Sequence, residues 1–80
     1  MIDLEENLQP GKTIRRYYGK NNIANARMHI RDIVDDIHIV YRVWNYHTRN
    51  WSYHIDDIYL FFLMNEHGHL YLPGQKVVEG

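Results

Sequence analysis

The chain uses one phrase twice. Ile33-Val34-Asp35-Asp36-Ile37-His38-Ile39-Val40-Tyr41 is echoed by His54-Ile55-Asp56-Asp57-Ile58-Tyr59-Leu60-Phe61-Phe62. In both, an acidic pair splits two runs of β-branched and aromatic residues. Two adjacent aspartates cannot lie cheaply inside a buried strand, and their carboxylates readily bond neighbouring backbone in turns. Each copy therefore marks a chain reversal. The first predicts a tight two-residue hairpin over Asp35-Asp36.

Eighty residues allow one domain near the lower limit for a self-sufficient core. The expected division is an acidic segment over 1–9, a β core over 10–72 and a flexible tail over 73–80. Seven Tyr, two Trp and two Phe must supply much of the burial. Cysteine is absent, which excludes disulfides, thiolate metal sites and thiol catalysis. Met1-Ile2-Asp3-Leu4-Glu5-Glu6 is acidic where a signal peptide carries a basic region, and Ile58 to Met64 is too short an apolar run to span a bilayer. A cytoplasmic protein with no membrane partner is the expectation.

Charge is segregated along the chain. Lys12, Arg15, Arg16, Lys20, Arg27, Arg31, Arg42 and Arg49 outweigh Asp32, Asp35 and Asp36, so residues 12–54 carry a net +5. Residues 1–11 and 55–80 each sum to −3. Such a pattern predicts either acidic ends that neutralise the middle or an anion-binding surface.

Strands are expected over Thr13–Tyr18, Arg27–Val34, Ile37–Tyr46 and Trp51–Ile55, with a polar, mobile loop from Gly19 to Ala26. A two-residue turn at Asp35-Asp36 sets Val34 against Ile37, Ile30 against Tyr41 and Met28 against Val43. One face then holds Met28, Ile30, Val34, Ile37, Ile39, Tyr41 and Val43, interrupted only by Asp32. An odd-length loop with Asn50 left-handed would add Trp51, Tyr53 and Ile55 to that core face. A four-residue loop would put them beside Trp44 and Tyr46 instead. The first is expected, because strict alternation of large side chains calls for burial. Ile58 to Met64 reads either as a strand or as a helix capped by Asp56 or Asp57 and ended by Gly68.

The order strand, long loop, strand, tight turn, strand, short turn, strand, short crossing, strand resembles an SH3-like (Tudor-like) small barrel. The resemblance rests on Leu8-x-Pro10-Gly11, the acidic turn Asp35-Asp36, and Val40-Tyr41-Arg42-Val43-Trp44 with Trp51-x-Tyr53. It implies an all-β, mainly antiparallel barrel or meander of five to six strands, with one short helix near 57–65. Nothing functional follows, because that fold hosts peptide binders, nucleic-acid binders and assembly modules alike.

Enzymatic signatures are missing. Ser52 is the only serine and has no nucleophile-elbow context, and no phosphate loop or dinucleotide fingerprint occurs. His67-Gly68-His69 beside Glu66, and His29, His38 and His54 on one sheet face, are weak metal motifs, so neither metal nor cofactor is expected. The sharpest candidate is the face bearing Arg27, His29, Arg31, Arg42, Trp44 and Tyr46, with Arg49 at the adjoining turn and Arg15, Arg16, Tyr17 and Tyr18 nearby. Guanidinium groups bind phosphate and aromatic planes stack bases. Tyr59, Phe61 and Leu63, opposite Leu60, Phe62 and Met64, would form an apolar self-association patch if the segment is a strand. The expectation is a non-enzymatic module that occludes or bridges a protein partner, in the format of a phage or mobile-element inhibitor of host machinery, with homodimerisation. The alternative is nucleic-acid or nucleotide binding on the basic face.

Overall fold

A computed structural model describes residues 1–77. The order is α1 (Leu4–Asn7), β1 (Thr13–Arg16), β2 (Ala26–Val34), β3 (His38–Asn45), β4 (Asn50–Asp57), α2 (Ile58–Glu66) and β5 (Leu70–Tyr71). The strands form one open antiparallel sheet in the order β4-β3-β2-β1-β5. β1 to β4 form a meander and β5 returns beside β1, consistent with the small meander or SH3-like arrangement that the resemblance implies, with the sheet left open. No helix among the described residues is long and apolar enough to cross a membrane.

The two acidic pairs do different work. Asp35 and Asp36 both adopt left-handed φ, 54° and 60°, and Ile37 N–H donates to Val34 C=O at 3.2 Å. Two positive φ values match the twist of a hairpin, and Asp tolerates them better than most residues. The expected pairing of Val34 with Ile37 is nevertheless corrected: Val34 pairs with His38 and Ile33 with Ile39. Ile37 is drawn away by a second partner, since its C=O accepts from Ile58 N–H at 2.8 Å.

A bulge at Arg31 absorbs the extra residue, so Ile30 still pairs with Tyr41 as expected. Between bulge and turn the faces exchange. Ile33 packs against the core, Asp32 turns out to solvent, and Val34 and Ile37 are 42% and 43% exposed rather than core residues. The lone acid in the expected core face is thereby removed from it.

The second pair ends β4. Asp56 accepts from the Tyr41 hydroxyl at 2.5 Å, and Asp57 caps α2, its carboxylate accepting from Tyr59 N–H at 2.8 Å. Gly68, at φ 77°, follows the helix. The segment is a helix, and that corrects the self-association set. Phe61 is fully buried, whereas Tyr59 and Leu63 are exposed together with Leu60 and Phe62. Replacing Asp57 with Ala removes the cap and should cost about 1 kcal/mol in urea unfolding. An unchanged midpoint would mean that the cap is not needed to start α2.

Ile14, Met28, Ile30, Ile39, Tyr41 and Leu70 line the inner face of the sheet, and Phe61 and Met64 of α2 cover it. The core reaches beyond 10–72, because Ile2 and Leu8 are buried in it. Asn65 clasps the N-terminal segment, accepting from Ile2 N–H at 3.0 Å and donating to Ile2 C=O at 2.9 Å. Both polar ends of this buried amide are satisfied. At the other end, Gln75 is tied to β1 through Arg15, whose Nη1 donates to its C=O at 3.0 Å. The rest of the expected tail, 78–80, lies outside the described residues.

Candidate binding cleft and its basic-aromatic face

The turn after β3 decides what the outer face contains. Asn45 pairs with Asn50 around a four-residue loop, and the left-handed residue is Arg49 (φ 56°), not Asn50. Asn45 closes the loop, its C=O accepting from Arg49 N–H at 2.8 Å and its side chain from the His47 and Thr48 amides. This corrects the expected odd-length loop. Trp51, Tyr53 and Ile55 pair with Trp44, Arg42 and Val40 and lie on the outer face, away from the core.

Trp51 becomes the centre of that face. Its ring meets Trp44 edge-to-face at 5.1 Å and His29 at 5.4 Å, and the Arg42 guanidinium lies 3.9 Å from its centroid. Arg42 Nη1 also donates to the Tyr53 hydroxyl at 3.3 Å, while its Nε is buried with no acceptor among the described residues. Arg42 therefore stiffens the aromatic cluster by cation–π contact. Sequence reasoning missed Trp51 because the wrong loop length assigned it to the core.

The paired ladder of β2 and β3 ends at His29 and Arg42, although β2 begins at Ala26 and β3 runs to Asn45. Beyond that point the strands splay, and a cleft of about 350 Å³ opens between them. Arg15, Arg16 and Arg27 supply cations; Tyr17, Trp44 and Tyr46 supply rings; His29 and Asn25 complete the polar wall. No carboxylate lines it among the described residues. A second hollow, lined in part by Trp44, Tyr46, His47, Ser52 and His54, shares the Trp44–Tyr46 wall.

The loop beside the cleft, expected to be mobile, is internally bonded. Asn25 accepts from Tyr18 N–H and donates to Gly19 C=O, each at 2.7 Å, and Arg16 Nε donates to Ala24 C=O at 2.8 Å. Of the seven residues expected at the site, Arg27, His29, Trp44 and Tyr46 line the cleft. Arg42 lies behind them on Trp51. Arg31 sits at the bulge and Arg49 in the turn, both exposed and outside the lining.

Two titrating groups respond to these surroundings. Burial, with Arg42 and Arg27 nearby, lowers the pKa of His29 below its ordinary 6.5, while Thr13 Oγ1 lies 2.9 Å from Nδ1. His29 is thus held neutral as pH falls past the value at which the unfolded chain takes up a proton. Stability from this group is full above 6.5 and is lost as pH falls through the lowered folded value. His29→Gln should flatten the acid side of the stability profile, read by urea unfolding across that range; an identical slope would contradict it. On the inner face, burial and the Asp56 hydrogen bond push the Tyr41 phenol up to about 12.

Among the described residues no three His, Asp or Glu side chains gather into a metal site. Compared with protein-family models, curated proteins and solved structures, the chain matches none.

Proposed function

We propose that this chain is a non-enzymatic binding module that holds single-stranded nucleic acid in the cleft between β2 and β3. The observation that supports it is the composition of one opening. Three guanidinium groups and three aromatic rings surround it, and no carboxylate lines it among the described residues. Phosphates engage the guanidinium groups by charge-assisted hydrogen bonds, and bases stack on the rings without demanding a particular sequence. Trp44, braced by Trp51, is the stacking platform; Arg27, which makes no ion pair among the described residues, is the free phosphate ligand.

A short fluorescently labelled single-stranded oligonucleotide, titrated at low salt, tests the reading by anisotropy. Saturable binding that quenches tryptophan emission is expected. Absence of binding would overturn it.

The second reading is an occluding protein–protein module, in the manner of a phage-type inhibitor of host machinery. It draws support from α2, where Tyr59, Phe62 and Leu63 are 66%, 46% and 53% exposed. Contiguous apolar exposure of this kind marks protein interfaces. Such a complex would hold as salt rises, whereas a phosphate-bound one would dissociate.

A further inference from the structure

We propose that β4 is the seam of a homodimer, in which two copies join edge to edge into a ten-stranded antiparallel sheet. The proposal is independent of what the cleft binds.

The sheet ends on β4 at one side and on β5 at the other. With only Leu70 and Tyr71, β5 is too short to template another strand, whereas β4 runs for eight residues. Monomeric proteins blunt long edges with charged side chains, proline or a bulge. β4 carries charge only at its end, in Asp56 and Asp57; Asn50 to Ile55 has neither charge nor proline, and the pairing with β3 is unbroken. The outward-facing Tyr53 and Ile55 are 60% and 66% exposed. The uncharged stretch of this edge is open to a cover.

The hydrogen-bond parity identifies which groups are open. Ile58 N–H bonds Ile37 C=O one step past the His38–Asp57 pair. Bonded and non-bonded pairs alternate in an antiparallel ladder. The N–H and C=O of Trp51, Tyr53 and Ile55 therefore point away from β3, toward the open edge.

A second β4 satisfies them when a two-fold axis passes through Tyr53. Tyr53 then faces its own copy, Trp51 faces Ile55, and Asn50 faces Asp56. Arg49 at the turn of one copy falls beside Asp57 of the other. Shifting the pairing by one step of the two-residue repeat sets Asp57 against Trp51, or leaves it beyond the partner strand. The centred register alone combines large-residue contacts with opposite charges at both ends, which is why the occupant is a second copy.

Light scattering on the purified chain should give twice the chain mass. The chain has no cysteine, so Tyr53→Cys carries a single thiol. Residues in a bonded antiparallel pair sit about 5.5 Å apart at Cα, within disulfide range. Mild oxidation of Tyr53→Cys should give a covalent dimer, while Tyr59→Cys on α2 should not. Ile55→Lys, at an exposed position, should raise the dimer dissociation constant at least about tenfold with an unchanged circular dichroism spectrum. A monomer at every concentration, a dimer unaffected by Ile55→Lys, or cross-linking through Tyr59→Cys rather than Tyr53→Cys would each overturn the proposal.

Discussion

Phe61→Ala should lower the unfolding free energy by about 3–5 kcal/mol, the cost of removing a large ring from a closed core. An 80-residue domain has a total stability of only about 4–12 kcal/mol, so this variant stands near the edge of folding. Phe61 is fully buried and meets Tyr41 edge-to-face at 5.8 Å. It joins α2 to the sheet, and the Ala variant removes that joint rather than merely opening a void. Its neighbour supplies the control. Phe62 is 46% exposed, so Phe62→Ala should cost less than about 1 kcal/mol. Urea unfolding of both variants checks the pair. Equal losses would mean that the helix does not present the face described.

Trp44→Ala should weaken single-stranded oligonucleotide binding by roughly 5- to 150-fold, corresponding to about 1–3 kcal/mol for one stacked base. Trp44 lines both openings at this end of the sheet and is braced by Trp51 at 5.1 Å. Loss of the ring removes the platform while leaving the three cations in place. Arg27→Gln acts differently. It should weaken all sequences alike and reduce the salt dependence, because it deletes a phosphate contact rather than a stacking surface. Anisotropy titrations of both variants separate the two roles. Wild-type affinity in Trp44→Ala would remove the stacking account.

The sequence order of the strands and the centre of the core (Met28, Ile30, Ile39 and Tyr41) were legible because they rest on short-range chemistry, whereas Ile2, Leu8, Ile14, Phe61, Met64 and Leu70 complete the core through tertiary packing. The acidic turn, the β-branched alternation of β2 and β3, and the glycine after α2 are local signals. Side-chain period does the rest. The signal for the bulge was also present. Asp32 was the single charged interruption in an otherwise apolar face, and the Arg31 bulge turns it outward.

What escaped depended on one residue of loop length. Because side chains alternate, adding or removing one loop residue flips the whole of β4. Asn45 closes the four-residue turn through bonds to three amides, and no propensity of Trp51, Tyr53 or Ile55 announces that closure. Trp51 was therefore assigned to the core, though it holds Arg42, His29 and Trp44 together on the outer face. The cleft residues Arg27, His29, Trp44 and Tyr46 were legible as a basic-aromatic set. The splay of β2 from β3, which makes a cavity between them, is a tertiary outcome.

The central claim is that guanidinium groups in this cleft hold phosphate, and the salt dependence of oligonucleotide affinity measures it most directly. With Arg15, Arg16 and Arg27 each engaging a phosphate, the logarithm of the association constant should fall against the logarithm of salt concentration with a slope of about −2. Arg27→Gln should reduce its magnitude by about 0.7. A flat dependence, or no binding even at low salt, would contradict the account.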